Sequence, residues 1–105
     1  MVAWAVAAGA GHVDVAYYRS GYADAASHAR PWDFVVSDSR DGAHTWQTAV
    51  VAPHAYVGTG ADHQLKIWDL VAMTRTRAGR LVVAWTDYLG RTSGPSVVRV
   101  ARSLG

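Results

Sequence analysis

The chain has 105 residues, half of them hydrophobic and 17% charged, which fits one small folded domain with little surplus stability and argues against disorder. Its net charge is +2, but the arginines are scattered and form no stripe, so nucleic acid is not an expected partner. No apolar run approaches the ~20 residues of a membrane helix, and with no cysteine there is neither disulfide nor thiolate chemistry.

All eight acidic residues are Asp, and nine of the ten basic residues are Arg. The absence of Glu, a strong helix former, together with many Val, Thr, Trp and Tyr residues, predicts strands. The chain opens on small apolar residues with no basic leading region, and these run into Gly9 and Gly11; no signal peptide is expected. Val2 to Ala8 is apolar throughout, as in a strand covered on both faces, and Gly9-Ala10-Gly11 supplies a turn. His12 to Arg19 then alternates, with Val13, Val15 and Tyr17 on one face and Asp14, Ala16 and Tyr18 on the other. Period two predicts a second strand, paired with the first as a hairpin.

Ser20 to Pro31 is small, polar and Gly-containing, which predicts an exposed loop. Trp32 to Ser37 is a third strand and Trp46 to Val51 a fourth, ended by Pro53. Between them lies Ser39-Arg40-Asp41-Gly42-Ala43-His44-Thr45-Trp46. Here Ser and Asp side chains can accept from nearby backbone N–H groups, Gly tolerates positive φ, and the Trp can fold back into a core. Ala52 to Gln64 is a second loop.

The pattern then restarts. Ile67 to Thr74 and Leu81 to Thr86 are strands around an Arg77-Ala78-Gly79 turn; Asp87 to Pro95 is a loop and Ser96 to Arg102 a last strand. Gly11 to Tyr17 matches Gly79 to Trp85 at an offset of 68, and Phe34 to Ser39 lies beside Val98 to Ser103 at an offset of 64. An internal repeat follows, one copy whole and one lacking its fourth strand. The expected organisation is a first blade over 1–52, a connecting loop over 53–66 and an incomplete blade over 67–105. The fold class is all-β, a partial propeller of one four-stranded antiparallel unit and part of a second.

The turn resembles an Asp box, the hairpin motif of sialidase-like propellers usually written Ser-x-Asp-x-Gly-x-Thr-Trp. Ser39, Asp41, Thr45 and Trp46 match it, while Ala43 stands at the Gly position and Gly42 precedes it. Asp14 to Ser20, and Trp68-Asp69-Leu70 followed by Arg77 to Asp87, are also similar to blades of that class. The resemblance implies a glycan-processing parent of exo-sialidase type, extracellular as the family usually is, with a Tyr nucleophile, its acidic partner Glu, an Asp acid/base and an arginine cluster for the substrate carboxylate. A chain without Glu cannot hold that whole set, so inactivity is expected of it alone. The competing reading is a non-enzymatic Asp-box segment that binds glycan or protein or serves as scaffold.

The Asp box reads as architectural, through Ser39, Asp41, Gly42, Thr45 and Trp46. Tyr17, Tyr18, Trp32, Trp68 and Trp85 could stack on a sugar but read first as core. Arg19, Arg30, Arg75 and Arg99 read as solvated surface. Asp69 and Asp87, at strand edges of the second copy, are the binding candidates. The spacing of His12, His28, His44, His54 and His63 predicts no metal site, and no cofactor motif occurs. The remaining partners expected are further blades, or self-association through open sheet edges.

Overall fold

The computed structural model describes residues 3–7, 9–20, 31–57, 71–87, 89 and 97–104. Among these described residues, seven strands form two antiparallel sheets. The first has the order β1 (Ala3–Ala7), β2 (Val13–Ser20), β3 (Pro31–Ser39), β4 (Gln47–Val57). The second has the order β5 (Val71–Arg75), β6 (Leu81–Asp87), β7 (Val97–Arg102). The expected all-β architecture, four strands and then three, is what the chain adopts.

Two tight turns set the hairpins. Gly9 and Gly11, with φ of 97° and 73°, close β1 onto β2, and Gly79 at φ 80° closes β5 onto β6. Those values lie where a Cβ is penalised, so glycine is required.

The sheets stack face to face, β1 and β2 on β5 and β4 on β6. Alternation decides which side chains meet. From the first sheet come Ala16, Tyr18, Phe34, Val36 and Ala52; from the second, Val71, Met73, Val83 and Trp85. Phe34 and Trp85 stack at 4.9 Å between centroids and 13° between planes, and Tyr18 meets Phe34 edge-on at 5.2 Å. The Tyr18 hydroxyl donates to the carbonyl of Thr86, tying the sheets where the rings touch.

Ser20 and Pro31 belong to β2 and β3 and β3 runs to Ser39, but the largest departure from the expected boundaries is in the fourth strand. β4 does not end at Pro53 but runs to Val57. Three of its residues, Pro53 to Ala55, stand opposite the single Asp33, because Ala52 pairs with Phe34 and Tyr56 with Trp32. This is a β-bulge on an edge strand, where a proline leaves no central ladder bond unmade. His54 takes φ 56° in the bulge, and its N–H donates to Asp33 Oδ1 at 3.0 Å.

The Asp-box turn holds a strained residue as well. Gly42 and Ala43 both adopt positive φ, 72° and 71°. An L-residue there costs roughly 1–2 kcal/mol, part of which glycine returns as unfolded-state entropy. Replacing Ala43→Gly is therefore expected to stabilise the chain by about 1 kcal/mol in urea unfolding; an unchanged or lower midpoint counts against the strain.

Candidate functional site

Three polar constellations stand out among the described residues. The first is the Asp box. Asp41 Oδ1 accepts from the N–H groups of His44 (3.1 Å) and Thr45 (2.9 Å) and from Ser39 Oγ (3.0 Å), while Oδ2 accepts from Thr45 Oγ1 at 2.5 Å. Ser39 Oγ in turn accepts from the Ala43 N–H at 2.9 Å. The Thr45 hydroxyl and amide above all, with Ser39 and His44 adding to them, pull the Asp41 carboxyl down to about 2. Its oxygens are taken by the turn itself, which makes the motif a clamp. Gly42 N–H also donates to Gly11 O at 2.9 Å, so the clamp grips the β1–β2 turn.

Trp46 departs from the expected core position. It is 43% exposed and, with Val15, Tyr17, Ser37 and Thr48, lines a depression on the outer face of the first sheet. The clamp forms as read, but its Trp lies partly exposed on the outer face of the first sheet.

The second constellation joins the sheets. Asp14 on β2 and Asp38 on β3 are cross-strand partners, and His12 precedes β2. His12 Nε2 lies 2.8 Å from Asp38 Oδ2 and 3.6 Å from Asp14 Oδ2. Arg75, at the end of β5, reaches across from the second sheet: Nε donates to Asp14 Oδ2 at 3.1 Å, Nη2 contacts the same oxygen, and Nη1 donates to Gly79 O at 2.7 Å. Asp14 is buried. Burial raises the Asp38 carboxyl, but the contacts it receives from His12 and Arg40 outweigh it and hold the group below its usual value.

Beside this cluster runs a cleft of about 330 Å³ lined by Val36, Arg40, Gln47, Ala49, Leu81 and Ser103 among others. It opens where the three-stranded second sheet leaves the inner face of β4 overhanging. His12, Asp14 and Asp38 bring three ligand-type atoms within 4.8 Å of one another, a gathering that sequence spacing missed because only strand register creates it. Arg75 Nη2, however, stands 3.0 Å from His12 Nε2 and on Asp14. The guanidinium already supplies the positive charge at that point, and an added cation would have to displace it. The cluster is an inter-sheet charge clamp.

The third constellation surrounds Asp87, which is buried. Its Oδ2 accepts from Trp85 Nε1 at 2.9 Å and Arg99 Nη1 at 3.2 Å, and its Oδ1 from the Leu89 N–H at 2.6 Å. Arg99 also lies 5.6 Å from the Trp85 ring centroid, a cation–π contact. The carboxylate holds the core Trp in orientation and offers no free oxygen outward.

Of the other candidates, Asp69, Trp68, Arg30, His28 and His63 lie outside the described residues. Tyr18, Trp32 and Trp85 are core residues, and the buried Trp32 Nε1 has no acceptor among the described residues. Tyr17 is half-buried on the outer face, its hydroxyl 3.0 Å from Ser37 Oγ. Arg19 pairs with Asp33 at 3.8 Å, and Arg75, expected at the surface, is the clamp's cation instead. His44 belongs to the Asp box and His54 to the bulge. No protein-family model, curated protein or solved structure matches the chain.

Two outcomes follow from this geometry. The Asp41 carboxyl is lowered from 3.8 to about 2, so its stabilising effect is complete above pH 3.8 and is lost as pH falls through about 2. A carboxyl titration of Asp41 followed by NMR is expected to centre near 2; a midpoint near 4 would mean the clamp is open in solution. Arg75→Met leaves Asp14 buried without its cation and is expected to cost about 3 kcal/mol. Adding Asp14→Asn recovers much of that loss, and a double-mutant cycle showing no coupling would refute the clamp.

Proposed function

We propose that this chain is a pair of stacked blades from a sialidase-like Asp-box propeller, serving as an architectural part of a glycan-processing parent of exo-sialidase type. The observation that carries this reading is the Asp-box geometry. Asp41 gathers Ser39, His44 and Thr45 around one carboxylate at the β3–β4 turn, using the residues that motivated the resemblance. The stacking of a four-stranded sheet on a three-stranded one is the packing such a segment needs.

The catalytic work belongs elsewhere in the parent. No Glu occurs in the chain to activate a tyrosine. Asp14, Asp41 and Asp87 already hold donors at hydrogen-bond distance, which leaves them poorly placed as an acid/base. The same saturation favours a second reading, a non-enzymatic Asp-box segment that binds glycan or protein or acts as scaffold.

Hydrolysis of a fluorogenic α-sialoside separates these readings. The 105-residue chain is expected to release no product above buffer, while the longer reading frame that carries it hydrolyses the sialoside. Turnover by the chain alone overturns the architectural role. An inert parent that retains glycans on an array selects the second reading.

A further inference from the structure

The two sheets are related as repeats, and the sense of that relation determines what their outer faces fit. The offsets of 68 for β2 to β6 and 64 for β3 to β7 are both even. Side chains alternate with period two along a strand, so equivalent residues lie on the same side of their respective sheets. The side of the first sheet that packs inward carries Ala16, Phe34 and Val36, which are 0%, 0% and 9% exposed. Their equivalents, Ala84, Val98 and Val100, lie on the side of the second sheet turned away from the first; Val98 and Val100 are 59% and 66% exposed. Conversely, Val83 and Trp85 pack inward from the second sheet, and their equivalents, Val15 and Tyr17, lie on the outer face of the first, beside half-exposed Trp46.

The chain thus contains one closed interface and both halves of a second, unclosed copy of it, the half on the first sheet being already covered at β3, where Val35 and Ser37 are 0% and 6% exposed. Neither half complements itself: each is shaped like one side of a head-to-tail contact. We infer that the outer face of the second sheet packs on the outer face of the first sheet of a second copy of this chain, Tyr17 lying over Val98 as Trp85 lies over Phe34.

Charge fits this contact. The closed interface contains Asp14 against Arg75; the residues at the same repeat positions are Val82 and Ala7, so the open one has no carboxylate to desolvate there. The open contact therefore lacks this buried ion pair, while Arg102, at the repeat position of Asp38, stands on the outer face of the second sheet. Exposed aliphatic side chains clustered on one sheet face are characteristic of an interaction surface. The inference depends on the stacking alone and goes beyond the glycan-processing reading, so a sialoside assay does not bear on it.

Sedimentation of the chain, with one substitution on each face, tests it. The 11.3 kDa chain is expected to form species larger than a dimer at micromolar concentration, as a closed ring or an open series. Val100→Arg blocks one face and Val15→Arg the other, and each is expected to weaken association at least a hundredfold while keeping the far-ultraviolet β signal. Mixed in equal amounts, the two variants retain one good face each and should form a dimer of about twice 11.3 kDa. If Val100→Arg loses its β signal, Val98→Ser on the same face of β7 replaces it, and if Val15→Arg does, Tyr17→Ser on the outer face of the first sheet replaces it, each with an expected tenfold weakening. A folded wild-type monomer overturns the inference and assigns the faces to other blades. So does a dimer that does not grow, or a mixture that stays monomeric.

Discussion

The contact plane of Phe34 on Trp85 is what the rest of the structure depends on. A sheet cannot bury either of its faces unaided, and these rings cover each other at the centre of the only interface formed among the described residues. Burying a ring of this size is worth roughly 1.5–3 kcal/mol, with about 0.5–1.5 more for the aromatic geometry. An exposed ion pair contributes about 0–1 kcal/mol. Packing therefore holds the sheets together, and the polar groups around it set orientation. Asp87 shows this division: a buried carboxylate is expensive, yet here it receives the Trp85 indole N–H, the Arg99 guanidinium and the Leu89 amide, and its effect is to fix the ring that Phe34 needs.

At the end of the sheets that carries the Asp box, two polar devices meet through one glycine. Gly11 accepts from Gly42 of the Asp box and is followed by His12 of the inter-sheet clamp. A Cβ on Gly11 would sit 3.4 Å from the Gly42 nitrogen, at a φ of 73° that side chains rarely adopt. The residue is small for two reasons at once, its backbone conformation and the approach of a neighbouring turn. Through it, the carboxylate of Asp41 and the Asp14–Arg75 pair share one rigid framework, although neither touches the other's ligands.

Much of the fold was legible because it is local. Period-two alternation marked β2 and β6, Gly9, Gly11 and Gly79 marked the turns, and the donors around Asp41 lie within four residues of it. What was not legible depends on register or on coverage. Pro53 reads as a strand end until Asp33, across the ladder, is seen to receive the His54 amide and stabilise a bulge. Asp14, Asp38 and Arg75 are 24 and more residues apart and meet only because β2 pairs with β3 and β5 crosses them. The sequence of Trp46 says that it folds back over the hairpin; it does not say whether another layer lies above.

The clamp also explains how a chain with several similar apolar faces pairs the right ones. Ala16 and Val36 on one face, and Ala84 and Val100 on another, are alike in size and chemistry, so at these positions packing alone discriminates weakly between the faces. Asp14 and Arg75 discriminate strongly. A second sheet docked on the wrong side would place Val82 or Ala7 where a charged partner is needed, and a buried charge left unpaired costs about 3–5 kcal/mol. The clamp adds little net stability when both members are present, because their desolvation offsets their attraction. Its value is in the mispaired state, which it penalises, so one ion pair specifies an arrangement that the hydrophobic contacts stabilise without choosing.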